Sequence, residues 1–196
     1  MTTRLVVLAS GNGSNFQAIL DATRTEPPLD AEVVGVVCNV PGAYVLTRAT
    51  EGGVHGEVVP AVRGEARRDY DARLVDAVCA LRPDYVVLAG WMRLLSMTFL
   101  GAFPLRVINL HPALPGQFPG THAIERALEA AHRLGESRTG VMVHFVPDDG
   151  VDDGPVIATA QVEIRPDDTL ESLSERVHAA ERTVLVSALR AVIAAR

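Results

Sequence analysis

The chain is short of the features that would take it out of the ordinary globular class. It holds only two cysteines, Cys38 and Cys79. Both fall inside expected regular elements, which reads as two buried thiols in a reducing compartment and not as a disulfide framework. There is no His-x-x-x-His pair and no cysteine cluster, so no metal site is expected. No apolar run approaches the roughly 18–20 residues that span a bilayer. The opening stretch places one basic residue ahead of apolar ones, as a secretion signal does, but it is too short and runs straight into a glycine loop. It reads as a first strand. Positive charge is in deficit: 18 basic residues against 24 acidic ones leave a formal net charge of −6, the reverse of a general nucleic-acid binder. Anionic small ligands stay open, because single arginines and helix N-termini bind them. Repeats, low-complexity tracts and linkers are lacking too. What is present is a chain of 196 residues, 48% apolar and 21% charged. That excludes a disordered or fibrous protein and suffices for one domain with its own core.

Strand-like and helix-like segments alternate, the signature of βαβ units on a parallel sheet. The expected strands are Arg4–Ala9, Glu32–Cys38, Val54–Val59, Asp84–Ala89 and Val107–Leu110. The expected helices are Asn15–Arg24, Tyr44–Glu51, Arg67–Leu81 and Ala123–Leu134. In Arg67–Leu81 the apolar residues Tyr70, Leu74, Ala77, Val78 and Leu81 keep a helical period, and Pro83 ends it. The run up to Ala89 is almost continuously apolar, as in a buried central parallel strand. Gly140–Val146 and Val156–Ile164 read as an antiparallel pair around a polar loop, and Thr169–Arg196 as one long amphipathic helix. The pattern predicts a single α/β domain: a doubly wound, Rossmann-like, mostly parallel sheet with helices on both faces.

Such sheets bind ligands at the carboxyl ends of their strands. After the first strand comes Ser10-Gly-Asn-Gly-Ser-Asn15. It is not the dinucleotide fingerprint, since Phe16 stands at the third glycine, and no Gly-Lys-Ser/Thr follows as in a Walker loop. It reads either as a site for a single phosphate or as an ordinary turn in which Ser14 or Asn15 caps the helix. At the carboxyl end of the strand Val107–Leu110 stand Asn109 and His111, with Pro112 fixing the turn. An amide at Asn109 suits a developing oxyanion, and an imidazole at His111 moves a proton near neutral pH. His122 lies farther along the same loop and either lines the site or does not. His144, between Val143 and Phe145, reads as a core or sheet-edge residue, and His55 and His132 as solvated. The loop Asp148-Asp149-Gly150-Val151-Asp152-Asp153 looks like a calcium loop but lacks the twelfth-position glutamate and the flanking helices. It is either a solvated acidic turn or the source of a carboxylate that orients His111.

Taken in order, several segments resemble the folate-dependent glycinamide ribonucleotide formyltransferases of purine synthesis. They are Ser10-Gly-Asn-Gly-Ser-Asn15, Val87-Leu-Ala-Gly-Trp-Met-Arg-Leu-Leu95, Asn109-Leu-His-Pro112, Pro119-Gly-Thr-His122, Val143-His-Phe-Val146 and Val151-Asp-Asp-Gly-Pro155. The resemblance implies transfer of a formyl group from 10-formyltetrahydrofolate, a cosubstrate, to the amine of glycinamide ribonucleotide, with no metal. It implies catalytic roles for Asn109, His111 and Asp152, with Asp152 raising the pKa of His111. The substrate phosphate would lie at Gly13, Ser14 and Asn15, and the substrate amine at Glu181. The folate would lie along Arg67, Met92, Arg93, Leu94 and Leu95, with Asn109. Residues 1–100 would form a phosphate-binding half and 101–196 a folate-binding and catalytic half. The implied protein is cytoplasmic, a monomer or homodimer, with small-molecule partners and neither nucleic acid nor membrane. The chain departs from the family at Ala113-Leu114-Pro115-Gly116-Gln117, where a proline comes one place early. The acidic loop is one residue longer than in some relatives, which leaves Asp148, Asp149 and Asp153 as rivals to Asp152. His178 stands where a glutamine is common. Methionyl-tRNA formyltransferase shares the Asn-x-His-Pro core but needs a further C-terminal domain for tRNA. Formyltetrahydrofolate hydrolase carries an N-terminal regulatory domain and has no use for a phosphate loop. A non-catalytic nucleotide-binding module would leave Asn109, His111 and Asp152 without a purpose.

Overall fold

The computed structural model describes residues 2–196. Seven strands make one sheet: β1 (Thr3–Ala9), β2 (Ala31–Cys38), β3 (Gly56–Val58), β4 (Tyr85–Leu88), β5 (Val107–His111), β6 (Arg138–Phe145) and β7 (Val156–Glu163). Their order is β3-β2-β1-β4-β5-β6-β7. The first five run parallel, and β5, β6 and β7 are antiparallel neighbours. Six helices accompany the sheet among the described residues: α1 (Ser14–Ala22), α2 (Tyr44–Glu51), α3 (Arg67–Ala80), α4 (Met97–Leu100), α5 (Ala123–Leu134) and α6 (Leu170–Ala194).

The central strands are apolar on both faces because each face is covered. In β1, Leu5, Val7 and Ala9 point into the larger core, with α1, α2, α5 and α6 packed on it. Val6 and Leu8 point into the other core, under α3 and α4. The same alternation recurs in β4, where Val87 joins the first core and Val86 and Leu88 the second. In β2 the register with β1 shifts between Leu5 and Val6, opposite Gly35. The shift leaves Val34 unpaired beside Gly35, where a Cβ would lie 2.6 Å from Leu81 Cδ1 and would require that side chain to move.

The differences from the expected elements have local causes. β3 keeps three residues of the expected six, as an edge strand with a single neighbour. α4 was not expected: four residues are too few to display a period, and it is started by Ser96 Oγ accepting from Thr98 N. α6 is capped by Thr169 and Ser172, each side chain accepting from the other's backbone N–H. Cys38 is buried as expected, but Cys79 is exposed. Val78 faces the core, and the next residue on the helix is turned about 100° away from it. Among the described residues, no helix is long and apolar enough to cross a membrane, and no group of His, Cys, Asp and Glu could hold a metal ion.

The chain leaves β1 toward β2 and β3, then returns to place β4 on the other side of β1. The loops after β1 and β4 therefore diverge, and a crevice opens between them.

Candidate active site

A cavity of about 760 Å³ fills that crevice, a size suited to a small ligand or two. It takes residues from the glycine loop, from the segment after β4, from the end of β5, from the loops at 120–125 and 148–152, and from α6. Two hydrogen bonds tie its first two walls together: Ser10 N donates to Gly90 O at 3.0 Å and Met92 N donates to Ser10 Oγ at 2.9 Å.

The glycine loop owes its shape to α2. Gly13 has φ +78°, and a Cβ there would meet Val45 Cγ2 at 2.5 Å. Val45 N donates to Gly11 O at 3.1 Å. Arg48 donates to Asn12 O at 2.9 Å and to Asn12 Oδ1 at 3.1 Å. The capping role expected of Ser14 or Asn15 is not seen. Gly13 is the residue that starts α1, and no side chain caps it. Ser14 and Asn15 already lie inside the helix, too far along to reach the first-turn N–H groups. Those donors are left to an outside acceptor, and the helix end favours an anionic one. Asn15 instead turns across the cavity, where its Nδ2 donates to Glu181 Oε2 at 3.1 Å. Glu181 is only 7% exposed, and burial pushes its carboxyl pKa above the usual range. Asn15 Oδ1 is buried with no partner among the described residues.

At the end of β5, four polar side chains converge. Asn109 and His111 alternate with Ile108 and Leu110 along the strand, so both point away from the core behind it. The antiparallel register pairs Asn109 with His144 on β6. Asp152, held at φ +54° in the acidic loop, completes the group. His111 Nδ1 lies 3.2 Å from Asp152 Oδ2, and His111 Nε2 lies 3.1 Å from Phe118 O. Both neighbours are acceptors, so only the doubly protonated imidazolium satisfies both at once. Burial opposes that charge: it lowers the His111 pKa and outweighs the push upward from Asp152. Asp152 was expected to raise the pKa of His111 outright; its pull is present, but the desolvation of a side chain only 4% exposed is larger. Asp152 itself would be raised by burial. Its contacts with His144, the Gly120 N–H and the His111 imidazole together hold it below the ordinary carboxylate value. Asn109 Nδ2 donates to Asp152 Oδ1 at 2.9 Å and sits 3.1 Å from His144 Nε2. His144 Nδ1 lies 2.9 Å from Phe145 O. His144 Nε2 also lies 3.5 Å from Asp152 Oδ1, so the ring faces the carboxylate as well as the Asn109 amide.

Of the four aspartates in the acidic loop, Asp152 is the one joined to this group. Asp148 accepts from Gly150 N at 3.0 Å and makes a local turn. His144, read from sequence as a core or edge residue, is buried and belongs to the group. The signal was the β5–β6 pairing, which follows only once the two strands are known to be antiparallel neighbours. His122 does line the cavity; it starts α5 with φ +58°. Its Nδ1 lies 3.0 Å from Glu125 Oε2. His178 lines the wall formed by α6. Met92, Leu94 and Leu95 also line the cavity, with Met92 67% and Leu94 57% exposed and Leu95 buried. Arg93 lines it as well, but its guanidinium lies 4.3 Å over the ring of the buried Tyr70. Arg67 begins α3 as an exposed residue and is not part of the cavity wall. The cavity takes its residues from both sides of residue 100.

A doubly wound sheet with this polar group at a strand end defines an α/β group-transfer enzyme. Residues 3–189 match the formyl transferase family, and the chain belongs to that family. Within it, the chain stands among the phosphoribosylglycinamide formyltransferases. It is 43% identical to the one from Schizosaccharomyces pombe, over 98% of this chain and 98% of that protein. It is also 43% identical to the trifunctional purine biosynthetic protein adenosine-3 of Drosophila melanogaster, over 97% of this chain but only 14% of that much longer protein. The solved structure of glycinamide ribonucleotide transformylase 1 from Geobacillus kaustophilus matches with a TM-score of 0.89 at 39% identity, covering 98% of this chain and 99% of that one.

Proposed function

We propose that this chain transfers the formyl group of 10-formyltetrahydrofolate to the amine of glycinamide ribonucleotide, a step of purine synthesis, as a cytoplasmic monomer or homodimer acting on small molecules alone. The observation that carries the reading is the convergence of Asn109, His111 and Asp152 on one wall of a cavity. Its other walls hold an uncapped helix start and the buried Glu181.

The ribonucleotide phosphate takes the free N–H groups at Gly13, Ser14 and Asn15, with the side-chain donors of Ser14 and Asn15 adding to them. Glu181, with Asn15 Oδ1 beside it, receives the amine end. The folate lies along Met92, Arg93, Leu94 and Leu95, which offer exposed apolar side chains and backbone groups, and its far end reaches toward Arg67. The amine lone pair bonds to the formyl carbon, and the carbonyl oxygen becomes an oxyanion. Asn109 Nδ2 gives up its contact with His144 Nε2 and donates to that oxygen. His111, neutral because it is buried, accepts the proton that the amine loses and becomes an imidazolium. In that form it faces Asp152 and adds to the stabilisation of the oxyanion. The bond from carbon to the folate nitrogen then breaks, and the proton passes to that nitrogen directly or through water. The products are the formylated amine and tetrahydrofolate, with no net change of protons.

Calorimetric titration tests the placement of the ligands. Ribonucleotide binding should weaken when Ser14 and Asn15 are both replaced by alanine, by about 10–100-fold for the loss of anion contacts, while folate binding holds. If the double variant lost only folate binding, the two ligands would be exchanged. If wild-type protein bound neither, the reading would fall.

A further inference from the structure

The 118–121 loop, which closes one side of the cluster, is gripped by a single side chain. Arg126 lies in the first turns of α5, and its Nη2 points back into the loop. That nitrogen sits 2.7 Å from Phe118 O, 2.6 Å from Pro119 O and 2.9 Å from Thr121 O. Its guanidinium carbon also lies 5.9 Å from the centre of the Phe118 ring. Among the described residues Arg126 Nε has no partner, and the grip is made at Nη2, which faces three carbonyls. The same loop makes two contacts into the catalytic group. Phe118 O faces His111 Nε2 at 3.1 Å, and Gly120 N donates to Asp152 Oδ2 at 2.8 Å. The loop does not hold this path by local preference. Its backbone is left-handed at Phe118 (φ +45°), Gly120 (+79°) and His122 (+58°), a conformation that phenylalanine and histidine disfavour.

We propose that Arg126 is a positioning residue for the His111–Asp152 pair. By gathering the three carbonyls it fixes the Phe118 oxygen that faces the imidazole and the Gly120 N–H that holds the carboxylate. The proposal rests on the reading that His111 and Asp152 carry the transfer. Arg126 is not part of the cavity wall, so it acts through the loop and not on a substrate. The titratable groups facing His111 are Asp152 from the acidic loop and His144 from β6. From α5, His122 and Glu125 are occupied with each other, and Glu181 stands on the far wall formed by α6.

The test compares Arg126→Met, which keeps the stem and removes the donors, with Arg126→Lys, which returns a cation with three N–H donors. Two readouts are taken: nitrogen NMR of the His111 imidazole in the protein alone, and steady-state formyl transfer across pH. Arg126→Met should alter the His111 ring signals and displace the acid limb of the rate profile. It should lower kcat by about 100-fold, the scale of a misplaced catalytic group, with ribonucleotide KM nearly unchanged. Arg126→Lys should restore part of each. Wild-type ring signals, kcat and acid limb in Arg126→Met would overturn the proposal, even if its melting temperature fell. So would altered ring signals with wild-type kcat. If the wild-type protein itself transferred no formyl group, the reading of the site would fail instead, and the imidazole signals would still report whether Arg126 sets His111.

Discussion

At individual positions, polar side chains count by what they face. His111 and Asp152 face each other at 3.2 Å, and burial holds the imidazole below its ordinary pKa near 6.5. A neutral His111 thus persists below that value. Transfer that needs it as proton acceptor should decline only at more acid pH, seen as an acid limb of kcat/KM displaced downward. Removing the carboxylate in Asp152→Asn takes away the upward push, so the limb should move lower still while the rate falls. His111→Ala should cost about 10²–10⁴-fold in kcat, the usual worth of a positioned acid–base group. Near-wild-type kcat in His111→Ala would remove it from the mechanism. Linkage runs the same way: the unfolded chain takes up the proton first, so this group's share of stability is lost as pH falls through the ordinary histidine range. Asn109 and His111 were legible from their strand end and the turn proline alone. His144 was not, because its role depends on which strand lies beside β5. Cys79 was misplaced for a simpler reason: a helix interior in sequence is not a helix interior in space.

Among the elements, α6, the last helix, carries Glu181 and His178 to the site from a start anchored by Asp168. Asp168 accepts from Arg165 N at 2.8 Å and from Ser172 Oγ at 2.8 Å, and it pairs with Arg176. Its carboxylate is 3% exposed, and the Arg176 guanidinium beside it holds its pKa far below the usual range. The stabilisation is therefore complete above the unfolded carboxyl pKa near 3.8 and is lost as pH falls through the lower folded value. Asp168→Ala should destabilise the protein by about 1–3 kcal/mol at neutral pH. Chemical denaturation at pH 7 and in acid tests this: the gap between variant and wild type should narrow as the pH drops. A gap unchanged down to strong acid would assign the effect to packing. The periodic helices and apolar strands were legible because burial writes their pattern into the residues. α4 and the cap of α1 were not. The first is too short for a period, and the second is set by Gly13 pressing on Val45, a contact between segments more than thirty residues apart.

For the molecule as a whole, the sheet order does the arranging. Reversal of direction at β1 and β4 opens the crevice, and the ends of β1, β4 and β5 bring the glycine loop, the 91–95 segment and the Asn109–His111 pair to one cavity. The alternation of segments foretold the doubly wound sheet. The meeting of Asn15 with Glu181 could not be read that way, since 166 positions separate them. The chain contains no lysine, so a labelled formyl group has no side-chain amine of the protein to land on. That makes one measurement decisive: purified protein, carbon-13-labelled 10-formyltetrahydrofolate and glycinamide ribonucleotide, with the label followed by mass spectrometry. The expected result is label on the ribonucleotide amine, in step with tetrahydrofolate release, and near-complete loss of both in Asp152→Asn. Label released as formate at the same rate with or without the ribonucleotide would contradict the account.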